Sequence, residues 1–130
     1  MAEQKISNAT AFKEAVCIDA GRVYDSCSDK DCLEDLQVYF TEGNEKAKRL
    51  SEKIQYSVVN KLQPKNKRTV KEGKNIYVLE NADIPAVLIE CGFISNPEEC
   101  EKLSEKEYQK ELSFAILCGI IEYNKEDTRE

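Results

Sequence analysis

Residues 84–99 read Ile-Pro-Ala-Val-Leu-Ile-Glu-Cys-Gly-Phe-Ile-Ser-Asn-Pro-Glu-Glu. The apolar run at residues 86–89 is continuous, as expected for a strand that is covered on both faces, and such a strand predicts an α/β layer. Glu90 follows the run directly. Ligands of open α/β sheets gather at the carboxyl ends of the strands, so this position indicates a functional carboxylate. The alternative is a carboxylate that only pairs with a basic loop residue.

A long helix is predicted upstream of this strand. Asn44 can cap its first turn, and Pro64 cannot continue it. The apolar positions between them are three or four residues apart, which places them on one buried stripe. These positions are Ala47, Leu50, Ile54, Val58 and Leu62.

Two helices are predicted downstream of the strand. Asn96 and Pro97 supply an N-cap and a first-turn proline for the first helix, while Ser104 and Glu107 form a capping box for the second. The second helix also carries a stripe of apolar and small residues at helical spacing. Its members are Tyr108, Leu112, Ala115, Ile116, Gly119, Ile120 and Tyr123.

The remaining strands are less sharply defined by the sequence. Residues 14–19 and 76–79 are short strand candidates, and residues 33–40 fit either a strand or a short helix. Strands at 76–79 and 86–89 alone are too few to cover two amphipathic helices. We therefore expect a compromised fold of marginal stability unless residues 14–18 or 33–40 join the same sheet.

The composition excludes several classes of partner. The chain has 130 residues and a net charge of -6, with acidic and basic residues mixed, so no basic stripe predicts nucleic acid binding. No apolar stretch approaches the roughly 20 residues that span a bilayer, and no signal peptide is recognisable. The sequence as written predicts a cytoplasmic chain, with Cys17, Cys91 and Cys118 reduced within apolar runs. The sequence leaves the oligomeric state open.

Residues 44–124 resemble the C-terminal part of the zinc-dependent N-acetylmuramoyl-L-alanine amidases. The segment Leu-Ile-Glu-Cys-Gly-Phe-Ile-Ser-Asn at 88–96 is similar to the signature of that family. The resemblance implies a partial amidase-type sheet with flanking helices, and Glu90 as the catalytic carboxylate. It also implies peptidoglycan or a muropeptide as the substrate, which would locate the activity at the cell wall. Arg68 matches a basic residue of the family and is the predicted substrate-binding residue, near the mouth of the site.

The family binds its zinc through two histidines and a glutamate that lie upstream of this part. The chain contains no histidine, and Arg22 stands where the first zinc histidine would be. A catalytic zinc needs about three protein ligands and an open position. We therefore expect this chain to bind no catalytic zinc, and to be incomplete or inactive as a hydrolase.

Cys27 and Cys32 suggest another metal site only weakly. Two cysteines without a second pair or a histidine do not form a structural zinc site, and the nearby aspartates lack the pattern of a calcium loop. A plain polar loop is the better interpretation. The basic residues Lys65, Lys67, Arg68, Lys71 and Lys74 likewise fit a solvated loop, apart from the role implied for Arg68.

Residues 12–42 are more similar to the start of an uncharacterised cysteine-bearing family of spore-forming bacteria. This predicts an N-terminal segment of separate origin at 1–43, an amidase-like part at 44–124 and a charged tail at 125–130. A natural fusion, a truncated paralogue or an artefact would each produce a join near Gly43. The predicted function is that of an amidase-like peptidoglycan hydrolase in wall turnover, sporulation or germination. A non-enzymatic module that binds wall fragments or a partner is the alternative.

Overall fold

The computed structural model describes residues 14–19, 35–92 and 97–127, and for residue 127 the backbone alone. Among these residues two strands come first and two helices come last, and the two longest helices follow the second and the last strand. In chain order they are β1 (Ala15–Asp19), β2 (Gln37–Phe40), α1 (Glu45–Lys61), β3 (Lys71–Glu72), α2 (Tyr77–Glu80), β4 (Ala86–Glu90), α3 (Pro97–Ser104) and α4 (Lys106–Asp127).

The described strands form one sheet in the order β1-β4-β2-β3. β4 pairs in parallel with β1 and antiparallel with β2, and β3 adds to β2 in parallel. Residues 15–19 and 37–40 therefore join the same sheet as β4, so the condition set for a stable fold is met. Residues 37–40 form a strand rather than a helix. This arrangement confirms the predicted α/β class, a sheet with flanking helices.

One face of the sheet forms the core. Val38 and Phe40 of β2 and Val87 and Ile89 of β4 are buried there in one cluster with the inner faces of α1 and α4. These residues pair in the register, Val38 with Ile89 and Phe40 with Val87, so their side chains lie on the same face. The core is thus built where the central strands meet the two long helices.

The expectation that the strand is covered on both faces, which requires Leu88 to be buried, is wrong, because this side chain is only half-buried. Strand alternation places Leu88 on the face opposite to the one that α1 and α4 cover. Its register partners Cys17 and Tyr39 are half-buried as well. The continuous apolar run therefore reflects an interior strand of the sheet, whose two faces differ in burial among the described residues.

The predicted start and stripe of α1 are confirmed. The Asn44 side chain accepts a hydrogen bond from the Ala47 N–H at 2.9 Å, which caps the first turn. The helix ends at Lys61, where the N–H of Leu62 still donates to Val58. Four of the five stripe residues are buried and Leu62 is half-buried.

The stripe of α4 is confirmed too, and it packs directly against α1. Gly119 permits this approach, since a Cβ atom there would lie only 2.7 Å from the Cα of Ile54. The Ser57 hydroxyl of α1 donates to the Ala115 carbonyl of α4 at 2.6 Å. The two helices therefore meet at backbone contact distance.

The predicted strand at residues 76–79 is wrong, because the structure has a one-turn helix there. Leu79 is buried, whereas Tyr77 is 80% exposed. Asn75 turns the chain with a φ of 61°, and its N–H donates to the Glu80 carboxylate at 2.8 Å. A run of four apolar residues shows no period of its own, so local hydrogen bonds decide between helix and strand.

The predicted capping box at Ser104 is also not formed. The Ser104 hydroxyl donates to the Cys100 carbonyl at 2.7 Å and belongs to the last turn of α3. The carbonyl of Glu105 instead accepts the N–H of Gln109, so α4 begins one residue later than the box predicts. The predicted N-cap at Asn96 lies outside the described residues.

Candidate functional site

Glu90 is the last residue of β4 and is half-buried, as expected for a carboxylate at a strand end. The parallel register aligns it with Asp19, the last residue of β1. The antiparallel register places Gln37 opposite Glu90 on its other side. Residues paired in neighbouring strands point to the same face, so all three side chains lie on one face at this edge of the sheet. The catalytic role of Glu90 stays a prediction.

The side-chain amide of Gln37 connects this edge to the Arg68 loop, residues 66–70. Its Nε2 donates to the Thr69 carbonyl at 2.7 Å and to the Val38 carbonyl at 3.1 Å. Two carbonyl partners fix the orientation of the amide, because only nitrogen can donate to them. Gln37 is buried, and its Oε1 has no hydrogen-bond partner within the described part of the chain. A buried acceptor without a partner costs free energy of folding, and other contacts of the fold must offset this cost.

These residues do not fit a catalytic zinc. The chain has no histidine, and within the described ranges no three His, Cys, Asp or Glu side chains cluster so as to hold a metal ion. Asp19 and Glu90 supply two carboxylates at the sheet edge, whereas a catalytic zinc needs about three ligands with imidazole or thiolate prominent among them. Cys27 and Cys32 lie outside the described residues.

Arg68 lies in a groove beside α1. A groove of about 660 Å³, the basic groove, runs between the outer face of α1 and the Arg68 loop. Arg68 is half-buried on its wall, together with Arg49 and Tyr56 of α1. Glu90 is not among the residues that line the groove. Gln37 connects the two predicted site residues, since it is the register partner of Glu90 and donates to the carbonyl of Thr69, the residue after Arg68.

A smaller cavity of about 140 Å³ lies beyond the end of β4, lined by Cys91, Glu99 and Tyr108 among others. The Asp35 N–H donates to the Glu99 carboxylate at 2.6 Å, and Asp35 has a φ of 87°. The Gln63 amide donates to the Tyr108 hydroxyl at 2.9 Å. Sequence reasoning missed this cavity, because its residues come from distant segments without a shared motif.

Two groups of this cavity, the Cys91 thiol and the Tyr108 hydroxyl, are held in their neutral forms. Burial raises the pKa of the Cys91 thiol to about 11, and the negative charge of Asp19 adds to the effect. Burial likewise raises the pKa of the Tyr108 hydroxyl, against an opposing hydrogen bond from Gln63. A thiol that stays protonated is a poor nucleophile. Neither Cys91 nor Tyr108 is therefore an activated nucleophile at neutral pH.

We expect Cys91 in the folded chain to be alkylated by iodoacetamide at pH 8 at least about tenfold more slowly than Cys100, because thiolate is the reactive form. Cys91 is buried with a raised pKa, whereas Cys100 is exposed. Peptide mapping by mass spectrometry at several times gives the two rates. The unfolded chain in urea is the control, in which the rates should converge. Equal rates in the folded chain would contradict the assigned environment of Cys91.

Comparison with known proteins identifies the family. Residues 24–122 match the family model described as N-acetylmuramoyl-L-alanine amidase, a match that runs across the predicted join at Gly43. The chain is 31% identical over 84 residues to the germination-specific N-acetylmuramoyl-L-alanine amidase of Bacillus subtilis, covering 65% of this chain and 33% of that protein. It is 40% identical over 79 residues to the uncharacterised protein YqiI of Bacillus subtilis, covering 61% and 37%. The division of the chain at Gly43 stays a prediction.

Solved structures agree with this result. The CwlD amidase from Clostridioides difficile, solved in complex with the GerS lipoprotein, superposes with a TM-score of 0.82 and 32% identity. The superposition covers 95% of this chain and 59% of that one, so the chain spans little more than half of the solved amidase. No described helix has the length and apolar character that crossing a bilayer requires. Because the family model matches well over half of its residues, the chain belongs to the N-acetylmuramoyl-L-alanine amidase family.

Proposed function

We propose that the chain is a muropeptide-binding module of the peptidoglycan amidase type, which keeps the catalytic carboxylate and does not hydrolyse peptidoglycan by itself. The substrate bond of this family is the amide between the lactyl group of muramic acid and L-alanine. The proposal rests on one observation: Glu90 lies at the carboxyl end of β4 beside Asp19, in a chain that has no histidine.

The carboxylate of Glu90 is the hydrogen-bond acceptor that would bind the substrate amide. It can accept the N–H of the substrate amide, and it is half-buried, so a bound ligand would shield this hydrogen bond from water. A carboxylate at this position is also a competent proton acceptor. Asp19 on the neighbouring strand adds a second acceptor on the same face. Both carboxylates therefore favour a ligand that presents N–H or ammonium donors.

Hydrolysis requires more than a proton acceptor. A bound zinc polarises the scissile carbonyl and lowers the pKa of its water in metal-dependent amide hydrolysis. The described residues do not fit that ion, and residues 1–130 include no histidine to complete a ligand set. Glu90 alone would face an unactivated amide and an unactivated water. Binding without turnover is the function that this geometry supports best.

We expect the purified chain to release no peptide from peptidoglycan, with or without added zinc, and to bind a soluble muropeptide. Replacing Glu90 by glutamine should weaken that binding by about tenfold, because the amide oxygen can still accept the N–H but lacks the charge that strengthens the hydrogen bond. Release is measured by chromatography of the soluble fraction, and binding by calorimetry. Glu111→Gln is the matched control, since Glu111 is an exposed carboxylate on α4.

Two results would contradict this proposal. Zinc-dependent release that disappears in the Glu90→Gln chain would make the protein a working hydrolase. Muropeptide binding that is equally strong in the Glu90→Gln and Glu111→Gln chains would remove Glu90 from the site. Metal analysis of the same preparations adds a separate readout, in which zinc near one equivalent would favour the hydrolase.

Partner binding is the second candidate function. Phe114, Leu117 and Ile121 lie on the outer face of α4 with exposures of 62%, 51% and 43%. Exposed apolar residues at helical spacing favour a protein contact. The solved CwlD amidase is itself in a complex with a lipoprotein. A chain that functions only through this face should bind no muropeptide, and Glu90→Gln should then have no effect.

A further inference from the structure

Among the described residues the sheet ends at β1, whose neighbour on one side is β4. The Ala15 N–H and the Asp19 carbonyl form hydrogen bonds to the two ends of β4. Because backbone groups alternate in direction along a strand, those of Val16 and Ile18 point to the outer edge of β1. Ile18 is also 59% exposed. A strand edge with an exposed apolar residue and without proline or lysine is able to pair with a further strand.

α4 lies above this side of the sheet and runs antiparallel to β1. Near its end, the Tyr123 hydroxyl donates to the carboxylate of Glu14, just before β1, at 3.0 Å. Near its start, Tyr108 lines a cavity together with Cys91, the residue after β4. α1 packs on β2 and β4 instead. α4 is therefore the helix nearer to the outer edge of β1.

The apolar outer face of α4 points away from α1. Ala115 and Gly119 lie at the contact with α1. Leu117 is two residues from each of them, and two residues of a helix turn through about 200°, so its side chain lies on the opposite side. Phe114 and Ile121 are exposed beside it, one turn before and one turn after. This face therefore lies next to the outer edge of β1.

The middle of the strand and the middle of the helix face lie at the same height. Cys17, the central residue of β1, is about 10 Å along the strand from Glu14. About 10 Å along α4, counted back from Tyr123, leads to Leu117. Since Tyr123 contacts Glu14, Cys17 and Leu117 stand side by side. One partner can therefore contact both surfaces at once.

We propose that two copies of this chain form a dimer through β1 and the outer face of α4, about a twofold axis that passes between their Cys17 residues. Antiparallel pairing of β1 with its copy then places Val16 opposite Ile18 of the other copy. The backbone groups of these two residues point to each other across the axis and can exchange both hydrogen bonds. The two sheets become one.

The same axis sets α4 antiparallel beside its copy. The two Leu117 side chains meet at the axis, and Phe114 packs against Ile121 of the other copy. A helix that lies between β4 and β1 is about one strand spacing from the axis. The two helices are then about 10 Å apart, which is the usual distance of packed helices.

A second copy fits this surface in symmetry, charge and area. A twofold axis requires the centre of the strand and the centre of the helix face to coincide, and an unrelated partner would not. Lys110 meets Asn124 of the other copy at the ends of the face, so like charges do not oppose each other along it although each chain has a net charge of -6. Four large apolar side chains, about half exposed, offer roughly 400 Å² per copy, and the strand backbone raises the total from two copies to the about 1,000 Å² at which specific interfaces begin.

Analytical ultracentrifugation of the full chain between about 5 and 200 μM should show a monomer–dimer equilibrium with a dissociation constant of about 10–100 μM, as suits a small interface. Leu117→Lys places two ammonium groups at the axis and should weaken the dimer at least about tenfold. Val78→Lys is the matched control, because it adds the same charge to α2 at a position that is 42% exposed. Its dimer should stay within about twofold of the parent. Circular dichroism at about 5 μM, where the monomer predominates, checks the fold of each variant.

Cross-linking tests the strand pairing separately. Diamide joins two thiols in a disulfide and takes up their two hydrogens itself. The Cα atoms of the two Cys17 residues would lie about 4.5 Å apart, within reach of a disulfide. Peptide mapping should find this link between copies in the parent chain and much less of it in Leu117→Lys.

Three results would overturn the proposal. The first is a chain that stays monomeric at about 200 μM. The second is a dimer that Leu117→Lys and Val78→Lys weaken equally. The third is a dimer without a Cys17 link, which would exclude the shared sheet. Muropeptide binding through Glu90 does not require the dimer, so each of these results would leave the proposed function standing.

Discussion

Replacing Gly119 by valine is expected to lower the free energy of unfolding by about 3 kcal/mol, the upper end for overpacking a tightly packed contact. A Cβ atom at position 119 would lie 2.7 Å from the Ile54 Cα and 2.8 Å from the Lys53 carbonyl oxygen. Both are backbone atoms of α1, which cannot rotate aside as a flexible side chain could. Relief requires α4 to move away from α1, and that movement opens the core along the shared stripe.

Helix propensity acts in the opposite direction but is too small to decide the outcome. Valine is a better helix former than glycine by a few tenths of a kcal/mol. Leu117→Val is the matched control, because it places the same β-branched residue in α4 at a position that is 51% exposed. Urea unfolding followed by circular dichroism compares the two variants. If Gly119→Val and Leu117→Val lowered the free energy of unfolding equally, α4 would not approach α1 as closely as described.

The long helices were predictable because their information is local. Ala47, Leu50, Ile54 and Val58 recur at helical spacing, and the structure buries all four on one side of α1. Such a stripe needs no knowledge of what it packs against. The same reasoning predicted the inner face of α4, from Leu112 onwards. The exposed apolar residues on the outer face of α4 were not predicted, because the sequence does not show what a second apolar stripe on one helix would pack against.

Short apolar runs were harder to assign. Residues 76–79 and residues 86–89 look alike in sequence, yet the first contains a helical turn and the second is the central strand. The difference lies in Asn75, whose positive φ starts a turn, and in the pairing of β4 with two strands from distant parts of the chain. The burial of Leu88 also could not be predicted from local sequence, because it depends on which face of the sheet the helices cover.

The candidate site was predictable in position but not in shape. The end of an apolar strand located Glu90 at the sheet edge, and the register with Asp19 agrees with that location. The position of the Arg68 loop could not be read from the sequence. It follows from Asn66 and Gln37, which hold this loop beside β2 through hydrogen bonds between residues about thirty positions apart. Such contacts leave no periodic signal.

These buried amides lead to a second expectation for stability. β2 pairs with β3 only at its last two residues, so the edge of its first half would be unpaired. Gln55 of α1 fills this gap, accepting the Val38 N–H at 3.1 Å and donating to the Leu36 carbonyl at 3.2 Å. Gln55 is 5% exposed, and water does not replace it readily. One helix side chain therefore takes the role of a strand neighbour.

Gln55→Leu should lower the free energy of unfolding by about 2 kcal/mol, because a buried N–H without a partner costs about 1–3 kcal/mol. The Val38 N–H loses its acceptor, while the Leu36 carbonyl keeps the bond from Asn66 and limits the loss. Leucine retains most of the volume, so no large cavity adds to the cost. Amide hydrogen exchange gives a local readout, in which Val38 should exchange faster than its neighbours in β2.

Gln109→Leu provides the control for this substitution. Gln109 is exposed on α4, and its amide donates to the Leu103 carbonyl at 2.7 Å. Solvent can take over that exposed bond, so the expected loss is below about 0.5 kcal/mol. If the buried and exposed variants were equally stable, or if exchange at Val38 were unchanged in Gln55→Leu, Gln55 would not complete the edge of β2. The rigid support of the Arg68 loop, which depends on the same edge, would then need another origin.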